Sequence, residues 1–169
     1  PDVQFELDFQ KLEEPGPLGM DEVCFMISMN PGEPVRALGD VASGGELSRI
    51  MLAIKSVMAE KDQIETLIFD EIDVGISGRT AQKVSEKMSF IGRNHQVICI
   101  THLAQIAAMA DAHYAIEKQV EDGVTKSKIF RLSKEQEIEE LARILGGAKI
   151  TDTVMQSAAE MKELAERTK

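Results

Sequence analysis

The chain has 169 residues, 43% hydrophobic and 28% charged, a balance that suits one globular domain with its own core and excludes a disordered or fibrous chain. Its formal net charge of −10 disfavours tight binding of nucleic acid or anionic lipid by this surface alone, because such affinity comes mainly from Lys and Arg neutralising phosphates. It opens on Pro1, shows no signal-peptide pattern and has no apolar run long enough to span a bilayer, so the expectation is an excised cytoplasmic piece with no membrane partner.

Val3, Phe5, Leu7 and Phe9 alternate with polar residues, the period of a strand with one buried face. Pro15-Gly16-Pro17 marks a loop, and residues 23–29 are apolar at nearly every position, as in a strand covered on both sides. Asn30-Pro31-Gly32 turns the chain, and residues 33–41 show no period and read as loop. A helix is expected from about Glu46 to Glu60, its buried stripe formed by Leu47, Ile50, Met51, Ile54, Val57 and Met58, with Lys61 beyond it and a polar connector from Asp62 to Glu65. Leu67-Ile68-Phe69 is too short for a helix and bounded by charge, so it reads as a central parallel strand ending at Asp70 and Glu71. A tight loop, residues 74–78, leads to a second helix, about Arg79 to Ile91, burying Ala81, Val84, Met88 and Ile91. Val97 to Ile100 is the next strand, ending at Thr101 and His102, and Leu103 to Ala110 the next helix. Residues 113–118 and 125–132 flank Glu121-Asp122-Gly123, a hairpin signal. Ser133 with Gln136 has the form of a capping box for a helix ending near Leu145 with Gly146-Gly147 behind it, and Thr151 can cap a last helix reaching about Arg167. Cys24 and Cys99 sit in apolar strands without ligand spacing and read as buried thiols in a reducing compartment. The class is α/β: a largely parallel sheet flanked by helices, with a β-hairpin and C-terminal helices, in one lobe spanning residues 1–169.

Two stretches carry chemistry. In Ser43-Gly44-Gly45-Glu46 the serine oxygen can take the glutamate N–H while the glutamate reaches back, and the two glycines let an anion approach the helix N-terminus without a Cβ in the way. Read alone, this is equally a well-capped helix. Asp70, Glu71 and His102 fall at the carboxyl ends of two strands, where open α/β sheets gather ligands. An aspartate there can hold Mg²⁺, a glutamate one residue on can polarise a water that attacks phosphorus, and His102 can contact a terminal phosphate. Each residue by itself also suits a plain strand end or helix start. His95 and His113 have no partners suggested by spacing and read as structural or exposed.

Ala42-Ser43-Gly44-Gly45-Glu46 resembles the signature motif of ABC-type ATPases, residues 66–71 resemble their Walker B strand with its catalytic glutamate, and Ile100-Thr101-His102 is similar to their H-switch. The glutamate after the double glycine points to the SMC-like DNA repair branch. Residues 30–34, 43–49, 69–78 and 101–107 closely resemble the bacterial RecN recombination and repair family. The resemblance implies ATP held between two heads, with Ser43, Gly44, Gly45 and Glu46 serving a nucleotide bound by the partner, Asp70 holding Mg²⁺, and Glu71 and His102 acting on the terminal phosphate. It also implies a second head as homodimer partner, an N-terminal half of the same protein, contact with DNA through the intact protein, and a nucleoid-associated cytoplasmic location. No G-x-x-x-x-G-K-[ST] phosphate loop occurs, so the chain is expected to be the C-terminal half of a head. Ser77 stands where many ABC proteins carry an aspartate after Walker B, which leaves the roles of Asp73 and Ser77 open. The rival readings are a dimerisation or docking lobe without chemistry of its own, and a phosphoesterase using Glu71 and Asp73 as metal ligands.

Overall fold

A computed structural model of the chain describes residues 3–41, 43–58, 63–121, 123–147 and 149–169. Contacts divide it into two compact units, Pro1–Leu47 and Ser48–Lys169. Ala42 of the expected motif, Glu60 and Lys61 at the expected helix end, Asp62 of the connector and Asp122 of the hairpin turn lie outside the described residues.

The first unit is an antiparallel ribbon of β1 (Gln4–Gly16) and β2 (Gly19–Ser28), with the short β3 (Arg36–Ala37) on the far side of β2 and a single turn, α1 (Leu38–Val41), after it. Phe5 stands opposite Ile27, Leu7 opposite Phe25 and Phe9 opposite Val23, so the alternating residues share one face, and the Phe5 and Phe25 rings stack at 5.8 Å. The loop expected at residues 15–17 shrinks to a tight turn, because strand pairing resumes at Gly16 opposite Gly19 after an irregularity that starts at Lys11. Residues 23–29 are not covered on both faces. Only Ile27 and Ser28 are buried, whereas Val23 and Phe25 remain almost half exposed, as do Phe5 and Leu7. Alternation marks which face is apolar, and among the described residues of this unit no further layer covers it. Residues 33–41 are not wholly loop either: Arg36 and Ala37 add to β2 opposite Ile27 and Met26.

The helix α2 (Gly44–Met58) starts in the first unit and continues in the second. There follow β4 (Thr66–Phe69), α3 (Gly78–Gly92), β5 (Gln96–Cys99) and α4 (Ala104–Ala108). β4 and β5 are parallel with Leu67 opposite Val97 and Phe69 opposite Cys99. This is the expected strand–helix–strand–helix order, and among the described residues the parallel pairing is confined to these two strands. Leu52, Phe69, Ile72, Val84, Met88, Ile91 and Ile106 form the core beneath them. The buried stripe of α3 is as expected, with Ser85 added, its hydroxyl satisfied by Gln82 O at 2.7 Å.

The packed face of α2 differs from the expected stripe. Leu52 is the buried residue at 3% exposure, while Val57 is 88% exposed and Leu47, Met51 and Met58 are also open. Apolar residues occur around most of this helix, so periodicity alone does not choose between faces. The choice is made by Ser48 and Arg49, which lie one turn before Leu52 and hydrogen-bond to the loop after β4.

β6 (Tyr114–Glu121) and β7 (Val124–Arg131) form the expected hairpin. α5 (Lys134–Gly146) opens on a complete Ser133/Gln136 capping box and closes at Gly147, whose φ of 62° is the left-handed conformation a glycine tolerates. α6 (Asp152–Thr168) is capped by Thr151, whose hydroxyl accepts the Val154 N–H. Ala104, Ala107, Ala108, Leu141, Ala142, Ala158 and Ala165 make a second core, small enough in volume to bring α4, α5 and α6 close together. Glu137 and Lys162 pair at 2.9 Å between α5 and α6, both nearly enclosed, and the Lys162 ammonium also donates to Ala110 O. Among the described residues no helix is long and apolar enough to cross a membrane.

These positions give opposite expectations for similar truncations. Leu52→Ala should cost about 2–4 kcal/mol through lost burial and a cavity, whereas Val57→Ala should stay within about 0.5 kcal/mol. Lys162→Ala should cost about 2–4 kcal/mol because it strands the Glu137 carboxylate, and the paired change Glu137→Gln with Lys162→Met should recover most of that loss. Urea unfolding midpoints at constant slope measure all four.

Candidate functional site

Strand pairing continues one step beyond β4, where Ile100 N–H donates to Phe69 O at 3.0 Å. Asp70-Glu71 and Thr101-His102 therefore leave adjacent parallel strands side by side, at the carboxyl edge where sequence placed them. The backbone then folds into a tight turn. Val74 N–H donates to Glu71 O at 3.0 Å and Ile76 N–H to Asp73 O at 3.4 Å. Glu71 sits at φ 57°, the one non-glycine with positive φ among the described residues. A left-handed glutamate costs about 1–2 kcal/mol, so the surrounding bonds must hold it there.

Those bonds come from both neighbouring elements. From α2, the Ser48 hydroxyl donates to Asp70 O at 2.9 Å, and Arg49 Nη1 donates to Ile72 O at 3.1 Å and Val74 O at 2.8 Å. Ile72 is fully buried between them and fixes the middle of the turn in the core. Asp70 turns Oδ1 back onto the Glu71 N–H at 2.9 Å. From the loop after β5, the Thr101 hydroxyl and the His102 N–H donate to Asp73 Oδ2 at 2.6 and 2.8 Å, and His102 Nδ1 lies 3.0 Å from the same oxygen. Asp73 is 3% exposed. Burial would raise its pKa, but the Thr101 hydroxyl, the His102 N–H and the His102 ring outweigh that and hold it below the usual carboxylate value. Thr101 Oγ1 in turn accepts the Leu103 N–H at 3.1 Å and starts α4.

Asp70, Glu71 and His102 are thus brought to one edge with exposed side chains. Sequence reasoning missed the residues that hold them, Ser48, Arg49 and above all Asp73. The signals were the polar pair one helical turn before Leu52 and a carboxylate inside an otherwise apolar loop. Ser77 does not replace them: it precedes α3, and its side chain makes no capping hydrogen bond. Cys99 is a free thiol, pushed up to about 12 by burial and by the charges of Asp73 and Asp70, so it stays protonated and inert. Cys24 is also free.

Ser43 to Glu46 belong to the first unit. The capping box is formed in both directions: Ser43 N–H donates to Glu46 Oε2 at 2.9 Å and Glu46 N–H to Ser43 Oγ at 3.4 Å. Gly44 is exposed and Gly45 buried. On the hairpin, the basic residues Lys126 and Lys128 both pair with Glu121, at 2.9 and 3.1 Å, so they do not form a free cationic patch with Arg131.

Mg²⁺ fits the donor chemistry of the strand edge. Among the described residues no three His, Cys, Asp or Glu side chains converge to cage a metal ion. A single exposed carboxylate at a strand edge is what Mg²⁺ uses, with substrate oxygens and waters filling its shell.

No family model matches the chain. It is similar to the DNA repair protein RecN of Bacillus subtilis, with 46% identity over 151 residues, 89% of this chain and 26% of that protein. It is also similar to the DNA repair protein RecN of Vibrio cholerae, with 44% identity over 160 residues, 94% of this chain and 29% of that protein. The chain therefore spans about a quarter of the length of the curated relatives it matches. Among solved structures it resembles the Smc head domain with a coiled coil and joint derived from Pyrococcus yayanosii, at a TM-score of 0.58 and 26% identity, covering 83% of this chain and 26% of that one. With this identity along nearly all of its length, and with the fold of a partial SMC-type head, the chain belongs to the RecN family of SMC-like, ABC-type ATPases.

Proposed function

We propose that the chain is the C-terminal portion of a RecN-type ATPase head and takes part in Mg²⁺-dependent ATP hydrolysis between two paired heads during repair and recombination of broken DNA. The observation that carries this reading is the strained Glu71, clamped at the end of β4 beside His102 at the end of β5, in a chain 46% identical to a DNA repair protein. Strain that is held by side chains and a backbone N–H from two neighbouring elements is worth keeping where it aims a reacting group.

In this reading Asp70 holds Mg²⁺, which when bound neutralises charge developing on the phosphates. Glu71 accepts a proton from the attacking water, from an exposed position at the end of β4. His102 meets the terminal phosphate from the adjacent strand. Ser43, Gly44, Gly45 and Glu46 serve the nucleotide of the second head, since a preformed capping box with an exposed glycine leaves backbone N–H groups for phosphate oxygens. The N-terminal half of the protein supplies the phosphate loop that this sequence lacks. The exposed apolar side chains of β4 and β5, Ile68 and Ile98, support such a partner half lying over the sheet.

The phosphoesterase reading is disfavoured, because Asp73 is buried and its Oδ2 already accepts from the Thr101 hydroxyl and the His102 N–H. The docking-lobe reading applies to the isolated chain, whose apolar sheet faces are open.

The isolated chain should neither bind Mg-ATP at micromolar concentration nor hydrolyse it, which titration calorimetry and phosphate release measure directly. In the intact protein, Glu71→Gln should keep ATP binding while turnover falls by roughly 10²-fold or more, with heads accumulating as ATP-bound pairs in size-exclusion chromatography. Unchanged turnover would assign the base to another residue. DNA binding by the isolated chain should be weak at physiological salt, as anisotropy with labelled duplex and single-stranded oligonucleotides reads out, since its acidic surface repels the phosphate backbone.

A further inference from the structure

Asp73 carries three contacts on one oxygen, and they are not equivalent. Those from the Thr101 hydroxyl and the His102 N–H, 2.6 and 2.8 Å, tie the turn after β4 to the loop after β5. That staple needs only backbone and a hydroxyl. The third, 3.0 Å to His102 Nδ1, adds nothing to it and acts on the ring alone. The imidazole is 73% exposed while its carboxylate partner is 3% exposed. One edge of the ring is therefore pinned at the protein surface and the other is open. A mobile exposed histidine samples several rotamers and both tautomers. One whose Nδ1–H is held by a carboxylate has a single orientation, with Nε2 facing outward.

The turn is also rigid on its other side. The carbonyls flanking Asp73, on Ile72 and Val74, are both bound by Arg49 Nη1, and Val74 N–H closes back onto Glu71 O. Asp73 thus belongs to the same clamped loop that holds Glu71 in its left-handed conformation. A displacement of Glu71 moves the carboxylate that orients His102.

We propose that Asp73 is the positioning residue for His102, fixing the imidazole by its Nδ1–H so that Nε2 projects from the strand edge in register with Glu71. The proposal rests on the reading of His102 as the phosphate-contacting group. Outward-facing Nε2 offers a lone pair to water when the ring is neutral and an N–H to a phosphoryl oxygen when it carries its second proton. In both forms Asp73 holds the opposite nitrogen. An alanine at 73 removes the ring's partner together with the staple, whereas a valine at 101 weakens the staple and leaves the ring's partner in place.

Two measurements test this separately. The first needs no nucleotide. The chain has three histidines, His95, His102 and His113, so ring ¹⁵N signals of the labelled 169-residue protein can be assigned with single His→Gln variants. The neutral His102 ring should carry its proton on Nδ1, against the Nε2–H preference of a free histidine. Asp73→Ala should restore that preference, and Thr101→Val, which removes the hydroxyl from the staple and from the start of α4, should leave His102 as Nδ1–H. A wild-type His102 already in the Nε2–H form overturns the proposal, and this result needs no variant to fold. The second is ATP turnover by the intact protein. Asp73→Ala and His102→Gln should each lower kcat by roughly 10-fold or more, with KM for ATP little changed. In the His102→Gln background Asp73→Ala should lower it no further than Thr101→Val does. Additive losses overturn the proposal, because they make Asp73 act independently of the ring. If His102→Gln leaves kcat intact, the phosphate-contacting role of His102 fails and the positioning role with it, while the ¹⁵N result still reports whether Asp73 fixes the ring.

Discussion

The turn from Asp70 to Ile76 is the constraint on which the rest of the second unit depends. It holds a glutamate in a conformation that most residues avoid, and it does so with Ile72 fully buried beneath it. An isolated left-handed glutamate would relax to a more common conformation within nanoseconds. Here Ser48 and Arg49 secure the carbonyls of Asp70, Ile72 and Val74 from one side, and Thr101 and His102 secure the Asp73 carboxylate from the other. Hydrogen bonds to charged groups contribute about 1.5–3 kcal/mol each when buried, so a few of them exceed the local backbone strain. The cost is therefore met locally, by residues on the two elements that flank the turn.

This arrangement explains why α2 packs through Leu52 and not through its more hydrophobic sides. Ser48, Arg49 and Leu52 lie on one helical face, and directing the first two at the β4 loop sets the third into the core with Phe69 and Ile72. Hydrophobic patterning would have accepted several rotations of this helix. The polar contacts select one, because an arginine turned away would leave two loop carbonyls without their donors. Specificity of packing here comes from the polar residues, and burial supplies the energy.

That division also describes what the sequence revealed. The order β4, α3, β5, α4, the hairpin, the Ser133/Gln136 box and the edge bearing Asp70, Glu71 and His102 were readable because each rests on local spacing: strand lengths, capping residues, and turns with glycine. The face of α2, the short β3 and the role of Asp73 were not, because each depends on a partner far along the chain. Asp73 reaches Thr101 and His102 across 28 and 29 residues, and no periodicity reports that separation. Nor does spacing report that Lys126 and Lys128 are neutralised, because their partner, Glu121, lies across a turn on the opposite strand.

The apolar faces follow a further rule. Alternation in β1 and β2 specifies a hydrophobic side with Phe5, Leu7, Phe9, Val23 and Phe25, and the register aligns them on one side as that pattern requires. All five stay roughly half exposed or more. The hairpin repeats this, with Tyr114, Ile116, Val120 and Ile129 open on the face opposite to Glu121 and its lysines. Each buried apolar square ångström is worth about 25 cal/mol, so a chain leaving such side chains in water gives up stabilisation that an additional layer would supply. Strand pattern is thus a statement about the whole protein in which the strand sits. In a chain that spans about a quarter of its curated relatives, a correct alternation and an uncovered face are the same observation, made once on the residues and once on their surroundings.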